Sequence, residues 1–189
     1  MVHRKYHIFL SWLLRHGILE KKLHMRDDGY VAVTDILLLQ EMNTITRDDI
    51  CQIVKTDSKQ RFSMIIENEI EMIRANQGHS KKVGELIDET KLLQQISEPM
   101  QPCIHGTYRK HLDSIFKDGL KPMNRSFIHF GQSISSGIRS DADIYIYIDM
   151  KHAMDDEMKF FLSKNNVILT KGLNGCIDKK YFEKYVSLT

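Results

Sequence analysis

The chain of 189 residues is long enough for one domain with a full core or for two compact lobes, and its 42% hydrophobic and 28% charged residues are those of an ordinary globular protein. A net charge of +2, with 14 Lys and Arg against 15 Asp and Glu over residues 1–100 and 13 against 10 thereafter, excludes any argument for a polyanion partner from bulk charge; locally placed arginines would have to hold one. Cys51, Cys103 and Cys176 lie outside any Cys-x-x-Cys or Cys/His spacing, so neither a disulfide framework nor a zinc site is suggested, and no apolar run approaches the ~20 residues of a membrane span or completes a signal peptide. The expectation is a reducing, cytoplasmic setting, with no metal and no membrane partner.

From the N-terminus, Tyr6, Phe9, Leu10, Leu13 and His16 keep the i, i+3, i+4, i+7 spacing of one helix face, and Gly17 predicts its stop. "DDGYVAV" (27–33) reads as a turn and a short extended piece. Thr34 is then placed to cap a helix over "DILLLQEM" (35–42), and Thr46 another over "RDDICQIVKT" (47–56). In "KQRFSMIIENEIEMIRANQ" (59–77), Phe62, Met64 and Ile66, then Ile70, Met72 and Arg74, recur every second residue around the polar "ENE", the pattern of a hairpin. Three helices followed by a two-stranded ribbon is the order of a winged helix, a module that in many proteins touches nucleic acid.

Pro99 and Pro102 in "SEPMQPC" (97–103) follow a polar stretch and mark a linker, dividing the chain into lobes 1–98 and 99–189. In the second lobe "CIHGT" (103–107) reads as a strand end. "YRKHLDSIFKDGL" (108–120) places His111 or Leu112, Ile115 and Phe116 on one helical face and ends at Gly119. "FIHF" (127–130), "ADIYIYIDM" (142–150), "FFLS" (160–163) and "NNVILT" (165–170) are extended, with Ile144, Ile146 and Ile148 on one side of a half-buried strand and Tyr145 and Tyr147 on the other. The whole is an α+β chain whose second lobe carries a mostly antiparallel sheet.

The residues able to do chemistry each have a plain alternative. Arg15 in a last helical turn is favoured by the macrodipole by ~0.3–1 kcal/mol, and His16 on the apolar stripe reads as a packed ring. The pair also reads as a guanidinium and an imidazole offered to one phosphate from a helix end. Arg61, entering the hairpin, and Arg139, in the Gly/Ser-rich "SSGIRSDAD" (135–143), read as solvated edge and loop residues or as further phosphate donors. "GHS" (78–80), with His79 and Ser80, and "HGT" (105–107), with His105, Gly106 and Thr107, are small-residue turns carrying donors. "MNRSFIHF" (123–130) adds Arg125 and His129. No Walker loop, GxGxxG, HExxH, GxSxG or kinase set occurs, so those chemistries have no support.

Six blocks in order, "LSWLLRHG" (10–17), "DDGYVAVTDIL" (27–37), "DDICQIVKTDSKQRFSM" (48–64), "IRANQGHS" (73–80), "IHGTYRKHLDSIFKDGLKPMNRSFIHF" (104–130) and "DIYIYID" (143–149), together resemble the KptA-type RNA (tRNA) 2′-phosphotransferase family. The resemblance implies an N-terminal winged-helix-like RNA-binding lobe, a C-terminal ADP-ribosyltransferase-like lobe that binds NAD+, and an active site in the cleft between them. It implies removal of an internal RNA 2′-phosphate, the mark of some tRNA splicing ligations, with NAD+ as acceptor. The products implied are RNA with a free 2′-OH, nicotinamide and ADP-ribose 1″,2″-cyclic phosphate, formed through an ADP-ribosylated RNA intermediate.

The family's Arg-His-Arg-Arg set falls on Arg15, His16, Arg61 and Arg139. By the same resemblance His105, Gly106 and Thr107 line the ADP-ribose site with Arg125 and His129 nearby, and His79 and Ser80 are further candidates. A monomer is expected, though no residue pattern reports the oligomeric state. Phe127 stands where the family carries a histidine, which removes a donor and supplies a ring, and the C-terminal stretch 170–189 lacks the family's usual Pro before its last strand. Two other functions compete: ADP-ribosyl transfer to a terminal phosphate of RNA or DNA, and a winged-helix nucleic-acid-binding protein that consumes no NAD+.

Overall fold

In the computed structural model, which describes residues 2–134, 138–139 and 141–188, the first helical run ends at Gly17 as expected, but Gly17 is not in the left-handed conformation of a helix-ending glycine. Helix α1 (Val2–Trp12) widens into a π-helical turn, Leu13–Gly17, and the chain continues in turns, with the Lys21 N–H donating to the Gly17 carbonyl at 2.9 Å. Gly17 is required for space rather than as a terminator: a Cβ there would lie 2.6 Å from the Trp12 ring. Tyr6, Leu10, Leu13, Leu14 and Ile18 are buried, each contributing about 1.5–3 kcal/mol if fully withdrawn from water. Phe9 is only half-buried and His16 is exposed, because the wider turn carries His16 off the apolar stripe on which α-helical spacing had placed it.

Strand β1 (Val31–Ala32) runs directly into α2 (Val33–Leu37), so Ala32 and not Thr34 occupies the cap position and no side chain caps the helix. The helix also ends well short of residue 42, where a separate 3-10 turn, Gln40–Met42, takes over. Helix α3 (Arg47–Thr56) follows its sequence reading. Thr46 closes a capping box with Asp49, whose carboxylate accepts the Thr46 N–H at 2.8 Å, an arrangement worth ~1 kcal/mol. Strands β2 (Phe62–Glu67) and β3 (Ile70–Ala75) form the expected hairpin, turned by Asn68 and Glu69 at φ 49° and 64°, and the sheet order is β1-β3-β2. The expected alternation fades along it. Near the base Phe62, Ser63, Ile73 and Ala75 are buried on both faces, while Ile66 and Ile70 at the tip are exposed. Short helices α4 (Lys81–Gly84) and α5 (Glu89–Leu92) complete this unit.

The chain divides into compact units Met1–Leu92 and Leu93–Thr189, so the boundary precedes the proline stretch. The physical reason is β4 (Gln94–Gln95), which already pairs with a strand of the second unit. There follow β5 (Ile104–Thr107), α6 (Leu112–Asp118), β6 (Ile128–Phe130), β7 (Ile144–Ile148), α7 (Met150–Asp155), β8 (Phe160–Leu162), β9 (Ile168–Thr170) and β10 (Phe182–Ser187). They make two antiparallel sheets, β10-β7-β5 and β4-β8-β9-β6, joined by a bridge between Ile104 and Gly131. Leu112, Ile115 and Phe116 make the inner face of α6, His111 stays exposed, and Gly119 ends the helix at φ 76°.

Strand β7 is buried on both faces rather than half-buried. Ile144, Ile146 and Ile148 pack with Phe130 and Phe160, and Tyr145 on the other side is covered by Ile104, Ile138 and Ala142. The mixed helical and antiparallel content is α+β, and among the described residues no helix is long and apolar enough to cross a membrane.

Candidate functional site

The π-helical turn sets Arg15 and His16 at the end of the first helix, anchored by Leu13 and Leu14, which have no exposure. Residues 76–80, leaving β3, pass over this turn. The Ser80 N–H donates to the Arg15 carbonyl at 2.9 Å, and Gly78, at φ +91°, lies so near that a Cβ would sit 3.3 Å from Arg15 Nε. His79 between them is buried. Burial first, and then the charges of Arg15, His16 and Arg74, push its pKa down to about 3, so the ring is neutral near pH 7. Its Nε2 has no hydrogen-bond partner among the described residues.

The same segment holds Arg61. Buried Asn76 donates its N–H to the Arg61 carbonyl at 2.8 Å and its Nδ2–H to the Gln60 carbonyl at 2.8 Å, and accepts from Ser63 Oγ at 2.6 Å. Arg15, His16, Arg61, His79 and Ser80 therefore gather at one end of the β2–β3 hairpin. Arg61 Nη1 donates to Asp57, whose other oxygen accepts the Arg61 N–H at 2.6 Å, and His7 Nε2 stands 3.4 Å from both Arg61 Nη1 and Asp57 Oδ1. Burial pushes the Asp57 carboxyl up, but the Arg61 N–H, the charges of Arg61 and His7, and the Lys59 N–H outweigh it, and the net pKa lies below the ordinary carboxylate value.

In the second unit β5 carries His105, Gly106 and Thr107. His105 Nδ1 is 3.0 Å from the His129 carbonyl on β6, which can only accept, so the neutral ring keeps its proton on Nδ1. Burial, then the charges of Arg139 and Arg125, lower the His105 pKa against the raising effect of that hydrogen bond. A Cβ on Gly106 would lie 2.3 Å from Ile138 Cγ2, so the bare glycine is what lets the chain before Arg139 lie on the strand. Residues 135–137 and 140 of that loop lie outside the described residues.

Arg139 is exposed, with Cζ 5.0 Å from the Tyr108 ring centre, and Tyr108 donates its hydroxyl proton to Asp141 at 2.6 Å. Arg125 keeps an exposed side chain, yet partial desolvation by the protein around it and then the Arg139 charge lower its pKa. An anion near both guanidinium groups would relieve that repulsion. Thr107 is buried opposite Ile144 and positions the strand. Phe127 is also buried, its ring 5.8 Å from that of Phe161, so it serves local packing.

Sequence reasoning overlooked Asp57, His7, Asn76, Gly78, Tyr108 and Asp141. The i, i+4 spacing of Asp57 and Arg61 was an available signal; the others depend on contacts between distant segments.

The description "RNA 2′-phosphotransferase, Tpt1 / KptA family" matches residues 4–172. The chain is 38% identical to tRNA 2′-phosphotransferase 1 of Danio rerio over 184 residues, covering 93% of this chain and 81% of the relative. It is 37% identical to tRNA 2′-phosphotransferase 1 of Homo sapiens, covering 95% and 74%, and 34% identical to tRNA 2′-phosphotransferase of Saccharomyces cerevisiae, covering 87% and 76%. With that match spanning both units, and these relatives at 34–38% identity covered over about three quarters or more of their length, the chain belongs to the RNA 2′-phosphotransferase family.

Proposed function

We propose that the protein is an NAD+-dependent RNA 2′-phosphotransferase, moving an internal 2′-phosphate of the tRNA splice-junction kind onto NAD+ in the cytoplasm and acting as a monomer. What supports this most directly is the single segment 76–80, whose backbone bonds to the carbonyls of both Arg15 and Arg61. Forked guanidinium donors with an exposed imidazole suit a phosphate. The order of helices, short strand and hairpin in the first unit supports a winged-helix-like RNA-binding lobe, and the antiparallel sheets of the second support an ADP-ribosyltransferase-like lobe.

The donor set of the second unit fits NAD+. Arg125 and Arg139 suit a diphosphate, Gly106 keeps the β5 backbone clear of a side chain, and His105 with its proton on Nδ1 offers Nε2 as an acceptor for a ribose hydroxyl. Bound NAD+ supplies an electrophilic ribose carbon, a nicotinamide leaving group and a neighbouring hydroxyl. In this reading Arg15, Arg61 and Arg139 hydrogen-bond the transferred phosphate and stabilise charge growing on its oxygens. His16, the exposed imidazole of the set, carries protons to and from them.

The test is incubation with NAD+ and a short RNA bearing one internal 2′-phosphate, without added metal, followed by separation of the RNA products. RNA with a free 2′-OH is the expected outcome. A persisting ADP-ribosylated RNA would mean that only the first half-reaction runs, modification confined to end phosphates would make the protein a terminal ADP-ribosyltransferase, and untouched substrate would leave a binding module.

A further inference from the structure

We infer that Asp57 is a positioning residue which fixes the edge of the Arg61 guanidinium offered to substrate, with His7 as a second brace. The inference rests on the reading that Arg61 binds the transferred phosphate. The carboxylate is set before it meets the guanidinium. Asp57 follows α3, donates its N–H to the Val54 carbonyl, accepts the Gln60 N–H on its own carbonyl at 2.8 Å, and takes the Lys59 and Arg61 N–H groups on its two carboxylate oxygens at 3.4 and 2.6 Å. Its side chain is 2% exposed. A buried carboxylate so tied to its own loop has one orientation, and it stays ionised because those donors outweigh burial.

The atom it engages decides the consequence. Asp57 Oδ1 takes Arg61 Nη1, and His7 stands 3.4 Å from the same nitrogen. Among the described residues Nε and Nη2 of Arg61 have no hydrogen-bond partner. Those two N–H groups share the side edge of the planar fork, the edge that grips two oxygens of one phosphate in parallel. A guanidinium on its own flexible stem would present either edge. Asp57 consumes the wrong one and points the right one outward, and the backbone bond from Asn76 to the Arg61 carbonyl fixes the stem below it.

The experiment compares wild type, Asp57→Asn, Arg61→Ala and the double variant on the 2′-phosphorylated RNA with NAD+. Asp57→Asn keeps the shape but loses the charge. Its kcat is expected to fall 10- to 100-fold with KM for NAD+ unchanged, and the double variant to be within about twofold of Arg61→Ala alone, since a residue acting through Arg61 has nothing left to position. Losses that multiply in the double variant would make Asp57 a general support of the fold and overturn the inference. An Asp57→Asn enzyme as fast as wild type beside an inactive Arg61→Ala overturns it while leaving the phosphate reading intact; an active Arg61→Ala overturns both.

Should Asp57→Asn fail to fold, Asp57→Ser, which retains an acceptor for the Arg61 N–H, replaces it. Nitrogen-15 arginine spectra of the unliganded protein give a second readout. Hindered rotation about the Arg61 Nε–Cζ bond is expected in wild type and free rotation in the variant, and equal rotation in both sinks the proposal.

Discussion

Arg61 in the first unit and Arg139 in the second are aimed by different physics. Arg61 is gripped at one nitrogen by a buried carboxylate, which sets direction through hydrogen bonds and cancels part of its charge. Arg139 lies over the Tyr108 ring, and the carboxylate nearby, Asp141, is bonded to the tyrosine hydroxyl instead. A ring face orients a guanidinium plane while leaving every N–H available, at an interaction of only about 0.5–1 kcal/mol where exposed. A lock suits a group that must hold one fixed object, and a loose platform suits one that must follow its ligand.

The comparison predicts unequal responses to substitution. The largest effects come from the arginines themselves. Arg61→Ala and Arg139→Ala should each lower turnover of the 2′-phosphorylated RNA by roughly 10²–10³, the scale of losing one fixed donor to developing charge. Arg61→Lys keeps the ion pair but loses the fork, so a lysine enzyme near wild-type speed would mean that charge alone suffices there.

Next is Gly106→Ala. Its Cβ would collide with Ile138 at 2.3 Å, so Ile138 and its neighbour Arg139 must shift. Tenfold or greater loss, read as a rise in KM for NAD+, is expected in steady-state kinetics; unchanged KM would separate that strand from the cofactor. Tyr108→Ala should cost only several-fold in kcat/KM, with Tyr108→Phe nearer wild type because the ring remains.

A last effect, with no expected change in turnover near pH 7, is one of stability in acid. His79 is neutral when folded down to about pH 3, against 6.5 for a free imidazole. Above pH 6.5 neither state is protonated and the residue is silent. As pH falls from 6.5 towards 3 the unfolded chain gains a proton that the folded one refuses, and stability drops by at most roughly 1.4 kcal/mol per pH unit. His79→Gln should flatten that limb in urea titrations at pH 4 to 7, and an unchanged slope would mean the ring is protonated in the fold.

Local chemistry was legible in the residues and tertiary chemistry was not. The Thr46 cap and the hairpin about "ENE" (67–69) are decided within a few residues, and both formed as read. Gly17 ends the first helical run as expected but for another reason, the Trp12 ring on the preceding turn, and Thr34 looked like a cap because β1 was not foreseen to run into α2. Half of β7 was assigned to solvent because the cover over Tyr145 comes from another segment. The arginines could be singled out as a set only through family resemblance; in isolation each had a sufficient structural explanation.

Residues 76–80 make one short length of backbone responsible for two cations at once, gripping Arg61 at its start and Arg15 at its end. A lengthening or shortening of that stretch by a single residue would mis-set both grips together and displace the buried Asn76 and His79, so this connection should tolerate insertions far worse than its place beyond a strand would suggest.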